Sequence, residues 1–131
     1  MSWRYWAFER YAVVVRYSRT DPTFSAPTIS FFSSGNGTIG RAMAVQADGK
    51  IVLVGEAASG GSNTFDIAAA RYDTNGNLDA AFGTGGKLLV DFFAGTDSAQ
   101  DVVVQPDGKI VIAGSARNGT STDFALVRVN R

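Results

Sequence analysis

Asp107-Gly108-Lys109-Ile110-Val111-Ile112-Ala113-Gly114 is the second copy of a block that first occurs as Asp48-Gly49-Lys50-Ile51-Val52-Leu53-Val54-Gly55. The two copies stand 59 residues apart at every position. A period of that length is the mark of a repeat architecture. Each copy reads as a β-hairpin. The first arm is Ala44-Val45-Gln46 or Val102-Val103-Val104-Gln105, and the turn is Ala47-Asp48-Gly49 or Pro106-Asp107-Gly108. Pro presets a turn φ, Asp bonds its own nearby backbone and Gly accepts φ > 0. Asp-Gly between two apolar runs is a strong hairpin signal. The returning arms, Ile51 to Val54 and Ile110 to Ala113, are apolar without alternation. Such runs predict strands covered on both faces.

The similarity continues. Asp66-Ile67-Ala68-Ala69-Ala70-Arg71-Tyr72-Asp73 aligns with Asp123-Phe124-Ala125-Leu126-Val127-Arg128-Val129-Asn130, now 57 residues apart. The Gly/Ser-rich stretches Ala57 to Thr64 and Ala116 to Thr122 take up the difference as surface loops. After Arg71 the first copy adds a turn at Asp73-Thr74-Asn75-Gly76-Asn77. Leu78-Asp79-Ala80-Ala81-Phe82-Gly83 follows, and then a fourth strand, Lys87 to Phe92. The expected fold is all-β: antiparallel four-stranded repeat units, alike to β-propeller blades, in an incomplete propeller.

These motifs, in this order, resemble the delta-60 repeat family, a bacterial repeat of about 55–60 residues. The resemblance runs from about Ile39 to Arg131. It implies a propeller within large, often surface-exposed or secreted proteins, with no established activity and no catalytic residues to carry over. The shared signature is Asp48, Gly49, Lys50, Gly55, Arg71, Phe82 and Gly83 in one copy, and Asp107, Gly108, Lys109, Gly114 and Arg128 in the other.

Three segments follow from the repeat: a degenerate partial repeat at 1–37, a complete one at 38–96 and a truncated one at 97–131. In the first, Tyr11 to Tyr17 aligns with Asp66 to Tyr72, which puts Arg16 in the place of Arg71. Asp21-Pro22-Thr23-Phe24-Ser25 follows as Asp79 to Gly83 does, and Thr28 to Phe32 reads as a fourth strand. The segment Met1 to Tyr17 crowds aromatic and basic residues, so an amphipathic surface helix is the alternative to strand there. Fewer than about four blades do not close a propeller. A fragment of a longer protein, a ring of protomers and strand exchange between neighbours all remain open. The expected partners are other repeats or copies of itself, met through open strand edges.

Composition excludes several functions. The formal net charge of the 131 residues is zero, so bulk electrostatics favours neither nucleic acid nor a membrane surface. There is no Cys, hence no disulfide framework or thiolate metal site. There is no His, the commonest general base and metal ligand. No apolar run approaches the roughly 20 residues of a membrane span. No cofactor is expected, and the cellular compartment stays open.

Several candidate sites remain. Asp73, Asn75, Asn77 and Asp79 place oxygens at alternate positions, as a Ca²⁺ loop does, although Asn75-Gly76 reads equally as a tight turn with Asp79 capping the next segment. Arg16, Arg71 and Arg128 recur at one strand position, and Asp48/Asp107 or Asp66/Asp123 are the expected partners in a structural role. Phe82 to Lys87 lacks phosphate-loop spacing and reads as a turn. Phe24 and Phe82 read as packing anchors between units. Asn36-Gly37-Thr38 and Asn118-Gly119-Thr120 are formal sequons. Asp91, Asp97 and Asp101 read as scattered surface acids, the alternative being a carboxylate pair for glycoside chemistry. The expected function is a non-catalytic structural or interaction module that meets partners at its rim loops. A Ca²⁺-stabilised adhesion module and a carbohydrate-active propeller fragment are the alternatives.

Overall fold

Both Asp-Gly blocks form the hairpins their residues predict. Gly49 N–H donates to the Gln46 carbonyl at 2.9 Å, and Gly108 N–H to that of Gln105 at 2.8 Å. The two glycines take φ of 84° and 82°, a conformation that side chains with a Cβ rarely adopt. Asp48 Oδ1 accepts the Lys50 N–H, and Asp107 Oδ1 accepts that of Lys109, each at 3.1 Å.

The computed structural model describes residues 37–59 and 64–130 in full, and the strand backbones at 2–8, 11–17 and 28–30. Three antiparallel sheets result, with no helix among the described residues. The first comprises β1 (Ser2–Phe8), β2 (Tyr11–Tyr17) and β3 (Thr28–Ser30) in that spatial order. The second is four-stranded: β4 (Thr38–Val45), β5 (Ile51–Ala58), β6 (Phe65–Tyr72) and β7 (Lys87–Val90). The third orders β8 (Asp97–Val104), β9 (Ile110–Asn118) and β10 (Ser121–Val129) as β10-β9-β8. Each is an up-and-down meander, the arrangement of a propeller blade, and the set is not closed.

The N-terminal segment is strand, not amphipathic helix. It contributes three strands, one more than the alignment from Tyr11 onward had indicated. β1 pairs with β2 over its whole length, from Ser2 opposite Tyr17 to Phe8 opposite Tyr11. Phe24 lies outside the described residues.

The sheets stack face to face. Alternate residues of a strand point to opposite faces, and the core divides accordingly. Val52, Val54, Ile67 and Ala69 turn toward the third sheet and join Ala99, Val102, Ile110, Ile112 and Ala125 in one apolar cluster. Ile51, Leu53, Ala70 and Tyr72 form a second cluster with Met43 and Leu78 on the opposite face. β1 and β2 lie near β4, so the second sheet stands between two neighbours. Ile51 to Val54 are all buried, as their unbroken apolar run predicts, and so is the rest of β5, Glu56 included. β9 has the same kind of run, yet Val111 and Ala113 are only half-buried. The difference is positional, because the third sheet has a neighbour on one face alone among the described residues.

The repeat also reproduces an irregularity. β4 shifts register against β5 between Gly40 and Ala42, and β8 shifts against β9 between Ala99 and Asp101. These are the same repeat position, and each is a β-bulge that bends the strand. The bulged strand presses its backbone against Gly55 or Gly114. A Cβ at Gly55 would collide with the Ile39 carbonyl, and one at Gly114 with the Ser98 carbonyl. The two signature glycines are therefore required by close backbone approach, not by φ.

The second connection corrects the sequence reading. Ala116 to Thr122 is mostly strand, since Ser121 pairs with Asn118 and only Gly119-Thr120 form the turn. The β9–β10 hairpin extends through this stretch instead of opening a rim loop.

Gly55→Ala and Gly114→Ala are each expected to lower unfolding free energy by about 1–3 kcal/mol, the range for overpacking a rigid site. Urea denaturation checks this.

Candidate functional site

The signature cations of the complete repeat converge on one carboxylate. Asp79 Oδ2 accepts Arg71 Nε at 2.8 Å and Lys50 Nζ at 2.9 Å. Lys50 comes from the Asp-Gly turn, Arg71 from the end of β6 and Asp79 from the loop beyond it. The ion cluster thus ties the hairpin turn to the connection that leads to β7. The Arg71 side chain is 6 % exposed and its guanidinium lies 4.9 Å from the centroid of the Phe82 ring. Phe82 is itself buried in the cluster between the second and third sheets, the packing role expected of it. Asp79 Oδ1 also accepts the Ala81 N–H at 3.1 Å, so it caps the next segment as well. The hydrogen bond from Lys50, then that N–H and the charge of Arg71, hold the Asp79 carboxyl below its usual range.

This pairing corrects the expected partners: Arg71 meets Asp79, not Asp48 or Asp66. The third sheet shows the consequence. No Asp79 counterpart stands near Arg128 among the described residues. Arg128 is exposed, and Lys109 pairs with Asp107 within its own turn at 2.9 Å. The Arg16 side chain lies outside the described residues.

Asp73, Asn75, Asn77 and Asp79 are arranged as a turn. Asp73 Oδ1 accepts the N–H groups of Asn75 and Asn77, both at 2.9 Å, and these bonds lower the Asp73 pKa. Asp79 turns away toward Lys50 and Arg71. Phe82 to Lys87 is likewise a turn, in which Gly83, at φ 54°, sits against the Lys87 carbonyl.

The reading of Asp91, Asp97 and Asp101 as scattered surface acids requires correction. Asp97 is 0 % exposed, and its carboxylate lies within 4.8 Å of those of Asp66 and Asp91. Its oxygens cap backbone: Oδ2 accepts the Phe92 N–H at 2.7 Å and Oδ1 the Arg117 N–H at 3.2 Å. This pins the 91–96 connection to the end of β9, which buries the carboxylate. Asp101 stands apart at the β8 bulge and accepts the Val102 N–H. Burial is the main cause of a raised Asp66 pKa. A hydrogen bond with Ser59 works against it, and the charges of Asp91 and Asp97 add to it. An all-carboxylate set suits only a hard cation such as Ca²⁺. Sequence reasoning missed the convergence because it depends on sheet packing across the 91–96 connection.

A second missed pair is Arg41 Nη2 with Glu56 Oε1 at 2.9 Å, placed where the first bulge turns Arg41 toward β5. The equivalent positions in the third sheet are Gln100 and Ser115, so both charges are replaced together. That joint replacement was the available signal.

A cleft of about 530 Å³ opens between the two Asp-Gly turns, lined by Gln46, Lys50, Arg71, Gln105 and Pro106 among others. The Gln46 Oε1 is buried there without a hydrogen-bond partner.

Residues 46–82 and 105–131 match a family model described as a domain of unknown function (DUF5122) beta-propeller. The two matched stretches take in both Asp-Gly-Lys turns and the strands that follow each. The match supports a β-propeller repeat family. No curated protein matches the chain.

Asp79→Ala leaves the buried Arg71 uncompensated and is expected to cost about 2–4 kcal/mol. Lys50→Ala, on the more exposed partner, is expected to cost less than about 1 kcal/mol. Chemical denaturation of the two variants tests this order. Asp66→Asn has a pH-dependent expectation. A carboxyl whose folded pKa is raised penalises folding as pH rises from its unfolded value of 3.8 through the folded one. The variant should therefore gain melting temperature over the parent at pH 7, and the gain should fade as pH drops toward 3.8.

Proposed function

We propose that this chain is a non-catalytic structural and interaction module built from propeller-type blades of the delta-60 kind. It works as part of a larger stack of blades, supplied by other repeats or by copies of itself. The observation that carries this reading is where the repeated polar residues are spent. Lys50 and Arg71 are both held by Asp79 inside one blade, and the Arg71 guanidinium lies over a packing Phe. A residue set used in that way serves the blade, not a ligand.

The carbohydrate-active alternative needs a reachable carboxylate pair. Asp91 and Asp97 do converge, but Asp97 is fully buried and both its oxygens accept backbone N–H groups. That arrangement supports a capping role. The Asp66–Asp91–Asp97 convergence is also what favours the second reading, a Ca²⁺-stabilised module.

Melting in millimolar calcium separates these readings. A ligand that binds only the native state raises its melting temperature, by the equivalent of about 2.7 kcal/mol at a hundredfold excess over Kd. The structural module predicts no shift. A rise that disappears in Asp91→Asn would establish the cation-stabilised module in its place. Hydrolysis of aryl glycosides that is lost in Asp91→Asn would overturn the non-catalytic reading.

A further inference from the structure

The cleft between the two Asp-Gly turns, at about 530 Å³, falls within the range of small-molecule sites. Both of its walls belong to described blades. Val45 and Gln46 stand on one side, and Val104, Gln105 and Pro106 on the other. Arg71 lines it as well. The Arg71 side chain is 6 % exposed, and Nε, which donates to Asp79 Oδ2, makes its one hydrogen bond among the described residues. Nη1 and Nη2 are thus unbonded. Gln46 Oε1 is the one side-chain polar atom among the described residues that is shut off from solvent without a partner. The Arg71 Nη groups also lack a partner but are not shut off, so the cleft is where they reach solvent.

These groups specify a ligand. A guanidinium with both Nη groups open presents a fork that a carboxylate fills with two parallel hydrogen bonds. The charge count agrees. Lys50 and Arg71 share the single carboxylate of Asp79, which leaves the group one positive charge in excess. Asp48 also lines the cleft, but it is exposed and its Oδ1 accepts the Lys50 N–H of its own turn. Val45, Val104 and Pro106 supply apolar surface beside the cations, against which an apolar ligand body packs. Gln46 Oε1 lacks the donor that a buried acceptor needs. Holding the blade uses Arg71 Nε and Lys50 Nζ, so the Nη fork is chemistry left over from that role.

We propose that this cleft binds an N-acylated amino-acid carboxylate with an apolar side chain, the chemistry of a peptide's C-terminus. The carboxylate takes Nη1 and Nη2 of Arg71, with the Lys50 charge beside them. The apolar side chain lies against Val45, Val104 and Pro106. The Gln46 amide turns into the cleft and accepts the ligand's N–H. Capture of a terminal carboxylate is a recurrent mode of peptide recognition. The site rests on the interaction-module reading above, for which it names the partner's chemistry.

An NMR titration of the isotope-labelled 131-residue chain with N-acetyl-leucine tests this. The backbone amides of Gln46 to Lys50 and of Gln105 to Gly108 should shift saturably, with a Kd of about 1 mM or below. N-acetyl-leucinamide keeps the apolar body and the N–H but lacks the carboxylate, and should leave them in place. Arg71→Lys keeps the charge and loses the fork, so it should bind at least about tenfold more weakly. Val45→Asp, at a half-exposed wall position that leaves the fold intact, sets a like charge against the ligand and should also weaken binding at least about tenfold. Phe124→Asp, on a fully exposed side chain outside the cleft, should leave it unchanged. An acetylated tripeptide ending in leucine that binds more tightly than N-acetyl-leucine identifies a peptide end as the source of the ligand, and one that binds more weakly a free acid; both uphold the carboxylate site. No saturable shift up to about tenfold that Kd, equal shifts with the amide, or undiminished binding by Val45→Asp would overturn the proposal. Those results leave the non-catalytic reading standing, since calcium stabilisation and glycoside hydrolysis decide it.

Discussion

Everything else in this structure depends on sheet-on-sheet burial between successive blades. A single antiparallel meander has two faces and too little mass to hide either. Burying apolar surface contributes about 25 cal/mol per Å², and here it is gained when Val52, Val54, Ile67 and Ala69 meet Ala99, Val102, Ile110 and Ile112. That contact needs each strand meander to be curved and its neighbour close. The β-bulge at Gly40–Ala42 and its copy at Ala99–Asp101 supply the bend. Gly55 and Gly114 let the bent backbone approach. The shape that the two copies share is thus a consequence of the packing it must make.

The charged signature is secondary to that packing but coupled to it. Asp79, Lys50 and Arg71 meet from three separate parts of one blade, and Arg71 then lies over Phe82, which faces the next blade. A buried ion pair contributes little by itself against an apolar replacement, because desolvation offsets attraction. Its value here is geometric: it fixes the turn and the connection that carries Phe82. Asp97 acts similarly across the next connection, holding Phe92 and Arg117 through their backbone N–H groups. Asp91 and Asp101 likewise accept backbone N–H groups, from Ala94 and Val102.

Lys50 and Arg71 pair within the blade, while large apolar side chains lie exposed on the third sheet. Phe124 and Leu126 take up positions that are core in the preceding blade. A cleft lies between the two Asp-Gly turns, lined by residues of both.

The sequence alone determined the repeat, the two hairpins, the antiparallel blade and the turns, because these follow from local spacing: Asp-Gly at a turn, apolar runs in the strands that follow it. It also located Arg71, Lys50 and Asp79 as recurring or recognisable positions. Tertiary structure decided how they combine. The Arg71 partner is eight residues away across a loop whose path depends on Phe82 packing, so sequence spacing pointed to the wrong acids. Asp97 became buried because sheet stacking closes the 91–96 connection over it. The equal apolar runs of β5 and β9 ended with unequal burial, since exposure depends on whether a neighbouring blade is present, and no residue within a strand encodes that.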